Sequence, residues 1–243
     1  MDNFNEMLDK LRDSSGEMKS NLHMLREIIP IEEQMRYFDY VKNVRTETVD
    51  SHFTKEYLIA RLFTPELGVE SKRFYLALLA AMPDVAVYRA IETYHSSPLE
   101  PELANWSTLA LMESRILLDS DLSGERQFFV STGLGGKEGK LRYFLIITTD
   151  DRTELSCFQK DTLKRELQFS FEKNEIEIES IDFKPSYLKM FLFCGLNHDP
   201  RVAVEEAIKE CNELGCHFDT KFLLTNVKLL DDEEIKTILL KKE

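Results

Sequence analysis

Apolar residues recur at intervals of three and four through the first half of the chain. Through the second half they alternate or run continuously. The first pattern predicts helices and the second mostly strands. Phe4, Met7, Leu8 and Leu11 form one stripe, ended by Asp13-Ser14-Ser15-Gly16. Met18, Leu22, Leu25, Ile28 and Ile29 form a second, stopped at Pro30. A third helix from Ile31 to about Val44 groups Met35, Phe38 and Val41, with Pro30 suited to its first turn, where a missing N–H costs nothing. After Asp50 the helices become more apolar: His52–Phe63, Glu70–Ala81, Val85–His95 and Glu102–Leu118, joined by short Pro- and Asp-marked turns.

These joined helices predict stacked antiparallel pairs over residues 51–120, with amphipathic helices over 1–45. The stretch Glu70–Ser120 resembles HEAT-type helical repeats, whose unit is two helices in about 40 residues. An ordinary helical bundle fits the same pattern.

Asp119-Ser120-Asp121-Leu122-Ser123-Gly124 breaks the helical period and sets a boundary near residue 122, between an all-helical region 1–122 and an α+β region 123–243. Beyond it, Arg126–Thr132 and Leu141–Thr149 read as strands. Leu155–Phe171 returns to the helical period. Ile176–Phe183 and Tyr187–Leu196, joined by Lys184-Pro185-Ser186, read as a hairpin. Asp199 then suits an N-cap and Pro200 the first helical position, Val204, Ala207, Ile208 and Cys211 share a face, and Gly215 stands where a left-handed residue is wanted. Phe222–Leu230 is a last strand, and Asp231–Glu234 load the start of a closing helix with favourable negative charge.

From Leu141 the order is βαββαβ, the ferredoxin-like arrangement, with Arg126–Thr132 as an extra strand hairpinned to the first and a C-terminal helix added. The fold class is therefore α+β, a helical region followed by a ferredoxin-like one. Within the third-strand region Ile176 and Ile178 share a face while Ile181 and Phe183 have the opposite phase. A bulge near Glu179–Ile181 is needed to reconcile them.

The charge of -13 is spread over both halves, so neither is basic. That disfavours nucleic acid, whose binding draws on counterion release, though a local basic patch remains possible. No apolar run approaches the roughly 20 residues that span a bilayer. Met1–Lys10 lacks a secretory core, and four sparse cysteines form no disulfide framework, so a cytoplasmic protein without a membrane partner is expected.

Gln127–Thr149 is two β-rich runs joined by a basic turn that holds four of the nine glycines. A phosphate loop requires G-x-x-x-x-G-K-[ST] before a helix. Here Gly136-Lys137 has Ser131 at the first glycine position and Glu138 at the last, and a strand follows. The remaining readings are a long hairpin loop with glycines at positive φ, or a projecting contact loop. In the latter, Gly133, Gly135 and Gly136 shape the turn, Leu134 forms an exposed apolar tip, and Lys137, Lys140 and Arg142 supply charge.

Cys194, His198, Cys211, Cys216 and His217 are zinc-type ligands close in sequence, but their spacing matches no common finger or ribbon. Buried free thiols explain Cys194 and Cys211 more simply. Glu175, Glu177 and Glu179 alternate with isoleucines as a wet strand face would. No catalytic motif stands out, and no cofactor is implied.

The sequence therefore points to a non-catalytic adaptor or regulator with a protein partner, bound through the helical surface, the Gly133–Lys140 loop or both. The Met-rich N-terminal stripes could serve a partner groove or a second copy. Two rivals remain. One is RNA binding on the sheet through Phe128, Phe129, Tyr143 and Phe144, and the other is small-molecule sensing by the α+β half.

Overall fold

The computed structural model describes residues 21–48 and 53–240. The stripe Phe4–Leu11 and the break after it lie outside the described residues. The chain is α+β, and its described residues fall into two compact units divided after Val130.

The helical unit runs β1 (Leu22–Met24), α1 (Ile31–Glu47), α2 (Lys55–Leu62), α3 (Val69–Leu79), α4 (Val85–Ser96), α5 (Ala104–Ser123) and β2 (Phe128–Val130). Its helices pair as neighbours: α2 packs on α3, α4 on α5, and α1 crosses to α3. Asp84 starts α4 by accepting from the Ala86 and Val87 amides at 2.8 and 3.3 Å, and Gly124, at φ 68°, ends α5 in the left-handed conformation. Leu58, Leu62, Leu76, Leu79, Ile91 and Leu109 fill the core between them.

Two details of this unit differ from expectation. Met18–Ile29 is not one helix, because Leu22–Met24 pairs in parallel with Phe128–Val130. The spacing of Leu25 and Ile29 imitates a helical turn, yet both side chains reach the core from non-helical backbone. On α1 the buried stripe is Gln34, Tyr37, Val41 and Val44, while Met35 and Phe38 stay exposed. Tyr37 and Gln34 win that face through bonds that hydropathy cannot see: Tyr37 Oη donates to Glu113 at 2.7 Å, and Gln34 Nε2 donates to the Ile29 carbonyl at 2.8 Å.

The α+β unit runs β3 (Gly136–Lys137), β4 (Lys140–Thr148), α6 (Cys157–Lys173), β5 (Glu177–Phe183), β6 (Tyr187–Gly195), α7 (Pro200–Glu213), β7 (Leu223–Thr225) and α8 (Asp232–Leu240). Sheet order is β7-β4-β6-β5, all antiparallel, with the short β3 on the same edge of β4 as β7. The βαββαβ order thus closes into the ferredoxin-like sheet. Ser156 and Gln159 form a capping box at α6, and Asp199 caps α7 by accepting from the Arg201 amide at 3.0 Å. The β5–β6 register shifts between Ile178 and Ser180, which is the expected bulge at Glu179.

The extra strand, however, is not Arg126–Thr132. Phe128–Val130 belongs with β1 in the helical unit, where Phe129 packs against that core with its ring 6.4 Å from Phe38. The unit division accordingly lies past the expected residue 122. The hairpin partner of the start of β4 is the short Gly136–Lys137.

The two faces of the sheet have different coverings. Leu145 and Ile147 of β4 and Leu188, Met190, Leu192 and Cys194 of β6 point to α6 and α7. Arg142, Phe144 and Ile146 alternate with them on β4, as do Tyr187, Lys189, Phe191 and Phe193 on β6. They therefore share the opposite face. Part of that face lies under Leu134 and Ile235, and the remainder carries charged side chains.

Candidate functional site

The glycine-rich segment is a tight structure. Glu138 at φ 50° and Gly139 at φ 78° form a two-residue turn between the paired Lys137 and Lys140, the left-handed geometry that hairpins favour. Gly133, Leu134, Gly135 and Gly136 are buried, and the exposed tip consists of Glu138 and Gly139. Leu134, expected as an exposed apolar tip, is 0% exposed and packs with Phe144, Ile146, Tyr187 and Ile235. Its amide donates to the Asn226 carbonyl at 3.2 Å, and Arg142 Nη1 donates to its carbonyl at 3.0 Å. Burying one leucine outweighs projecting it, so the loop folds down and does not protrude.

This folding lays the hairpin's cations across the sheet. Lys137 Nζ lies 4.6 Å, and the Arg142 guanidinium carbon 4.9 Å, from the Phe193 ring centroid. Both reach past Phe193 to the edge strand: Lys137 to Glu177 at 2.5 Å, and Arg142 to Glu179 through two bonds of 2.8 and 2.9 Å. The Glu179 bulge breaks the strand's alternation at the residue that meets Arg142. Lys137 holds the Glu177 carboxyl below its ordinary range, chiefly through their hydrogen bond. Lys140 turns away and donates to the Glu175 carbonyl at 3.4 Å.

Further along the same face, Lys189 Nζ lies 5.6 Å from the Phe144 ring centroid, and Phe144 and Phe191 meet at 5.2 Å. The face is thus a row of phenylalanines overlaid by cations, each cation also facing a carboxylate. Sequence reasoning missed Phe191, Phe193 and Lys189. The available signal was their period-two alternation with Leu188, Met190, Leu192 and Cys194.

The aromatics singled out for a nucleic-acid surface do not act together. Phe128 and Phe129 lie in the helical unit, Tyr143 packs beside α6 and α7, and Phe144 alone is on the opposite face. Among the described residues, no group of three or more His, Cys, Asp or Glu side chains is arranged to hold a metal ion. Cys194 directs its thiol to the Gly195 and His198 carbonyls at 3.6 Å each, and His198 Nε2 is 3.8 Å from Glu175. Cys211 and Cys216 lie in the core beneath the helices, and His217 follows the turn at Gly215 with φ 55°. Burial pushes the Cys194 and Cys211 thiols up to about 11 and about 12, and raises Cys216 as well. These three are therefore protonated and shielded at neutral pH. Iodoacetamide at about pH 8 is expected to modify the exposed Cys157 alone, and all four cysteines only after unfolding; mass spectrometry of the adducts checks this.

No helix among the described residues is long and apolar enough to cross a membrane. No family model matches the sequence, and no curated protein matches it. Solved structures do show a partial likeness. One is a "putative transposase" from Deinococcus radiodurans R1, 18% identical, at TM-score 0.34, covering 43% of this chain and 89% of the other. Another is a REP-associated tyrosine transposase bound to a REP hairpin, 13% identical, at TM-score 0.33, covering 46% of this chain and 66% of the other. The expected role of non-catalytic adaptor with a protein partner is corrected on this finding. One neighbour is described as a "putative transposase" and the other as a transposase bound to a hairpin.

Proposed function

We propose that the α+β unit binds single-stranded nucleic acid across the face of its sheet that carries Phe193. The observation that carries this reading is the position of Lys137 and Arg142 over the Phe193 ring. Single strands are held by aromatic faces that stack on bases and by cations that track phosphates, a combination indifferent to base identity. A base entering over Phe193 displaces the two side chains, which then exchange their carboxylates for phosphate oxygens. Their flexible stems permit that exchange without moving the backbone. The surrounding negative charge makes binding weak, and the contacts of Lys137 and Arg142 with phosphates make it fall as salt rises. Duplex is disfavoured, because this sheet face inserts no element into a groove and paired bases present no free face.

Fluorescence anisotropy with a labelled oligonucleotide of about 12 nucleotides, as DNA and as RNA, tests the reading against a duplex of the same sequence. At about 50 mM salt, one or both single strands are expected to bind at least about tenfold more tightly than the duplex. Equal binding of duplex and single strands, or none of either, overturns it.

A further inference from the structure

The arrangement around Phe193 occurs a second time on the same face. Phe144 lies beneath Lys189, and Lys189 faces a carboxylate, Asp232, at 3.9 Å. At the first position the carboxylates come from the sheet itself, on β5. At the second, Asp232 belongs to α8, which sits on the sheet over Phe144, Ile146 and Tyr187.

The attachment of α8 through its described side chains is slight. Of its described side chains Ile235 is buried, whereas Ile238 is 41% exposed. The Tyr187 hydroxyl approaches Asp232 at 3.4 Å, and Lys228 pairs with Glu234. The helix is nonetheless well formed at its start, since Asp231 accepts from the Glu233 and Glu234 amides at 2.9 and 2.8 Å. Asp232, Glu233 and Glu234 further favour its first turn. The cap and these charges are local to the helix and do not hold it to the sheet, and a helix this short frays once it leaves the sheet.

We infer that α8 is a displaceable lid on the nucleic-acid face, covering a second base-stacking position made by Phe144, Tyr187 and Lys189. The inference rests on the proposed nucleic-acid reading of that face. With α8 docked, a strand reaches only the Phe193 end. Once it is released, Lys189 loses Asp232 and faces a phosphate instead, and the Phe144 ring is uncovered. Three acidic residues at the start of α8 repel the phosphates of a bound strand, so strand and helix exclude each other. The affinity of the mode that uses both positions is then scaled down by the fraction of molecules with the lid open.

The test uses the full chain, a single-stranded oligonucleotide of about 12 nucleotides, and hydrogen exchange of the α8 amides. Ile235→Ser removes the buried anchor and is expected to speed exchange at Glu234–Ile238 and tighten binding about tenfold. Asp232→Asn leaves the apolar contacts intact and is expected to tighten it about threefold. Adding the oligonucleotide to the unaltered protein should speed exchange in α8. Protection of α8 by the oligonucleotide overturns the lid, whatever the variants do. So does unchanged affinity in Asp232→Asn and in Ile235→Ser with its α8 amides released. Either result, in a protein that binds the strand, leaves the proposed function standing. Failure of the original protein to bind any single strand overturns both.

Discussion

Replacing Glu100 with alanine is expected to be among the most damaging single changes in the helical unit, at about 3–5 kcal/mol. Lys72 on α3 is 0% exposed, and its ammonium pairs with the Glu100 carboxylate. The other carboxylate oxygen accepts from the Tyr94 hydroxyl at 2.6 Å. Burial and this contact with Glu100 raise the Tyr94 pKa, so the phenol stays neutral and donates. Alanine at 100 leaves a buried ammonium without its counter-charge and a tyrosine hydroxyl without its acceptor. The loss from removing one member of a buried pair exceeds the net worth of the pair, because desolvation of the survivor is no longer offset. The helical unit's calorimetric transition should fall by more than about 10 °C. Adding Lys72→Met to the Glu100→Ala protein should recover much of the loss, since a neutral side chain of similar length requires no partner. A double variant no more stable than Glu100→Ala alone sinks this account.

A second network has the same form. Glu113 on α5 accepts from Tyr37 at 2.7 Å and from Arg45 at 2.6 Å, and Arg45 also donates to the Ala77 carbonyl at 2.9 Å. Both networks join helices through a carboxylate that holds a tyrosine and a cation at once. Such pairings are specific in direction where apolar contacts are not, so they help fix which helix faces which.

These networks explain where the sequence was legible and where it was not. Helix ends announced themselves through local chemistry: Asp84, Asp199-Pro200 and Gly215 act on backbone groups a few residues away, so their meaning survives without the fold. The bulge at Glu179 was readable because the phase of the isoleucines changes within one strand. Leu22–Met24 was not, because its partner lies more than a hundred residues later and its own spacing imitates a helix. The same limit applied to α1, where tyrosine and glutamine were buried by distant or irregular-backbone partners.

At the candidate site, the sequence marks Lys137, Lys140 and Arg142 as the charge of a projecting loop, and the direction they take differs from that expectation. A run such as Gly133–Lys140 suggests projection, since glycine and lysine are commonly exposed. Burial of Leu134 reverses that orientation, and no local pattern encodes it. Tertiary pairing also explains why Glu177 and Glu179, which alternation alone marks as a solvated face, become the partners of Lys137 and Arg142.

Removing those two cations is expected to weaken single-strand binding about tenfold for each, and the two differ in what else they disturb. The Lys137 side chain is 40% exposed, so Lys137→Ala should leave the melting temperature nearly unchanged. Arg142 is 17% exposed and ties both Glu179 and the Leu134 carbonyl, so Arg142→Ala should also loosen the hairpin. The salt dependence separates the two effects. Each lost phosphate contact lowers the slope of log affinity against log salt by about 0.7 for a single strand, so the double variant should lose about 1.4. A merely loosened hairpin lowers affinity at every salt concentration alike and leaves the slope in place. The pairing with Glu177 adds a dependence on pH. Lys137 depresses the Glu177 pKa in the folded protein, so the pair's contribution to stability is complete above the unfolded carboxyl's pKa. It is lost as the pH falls through the lower, folded value. Around neutral pH the carboxylate therefore competes fully with phosphate for Lys137, and Glu177→Gln should tighten binding where Lys137→Ala weakens it. Opposite shifts from two partners of one ion pair are hard to produce by damage to the fold. An unaltered salt slope in a folded double variant removes Lys137 and Arg142 from the binding face.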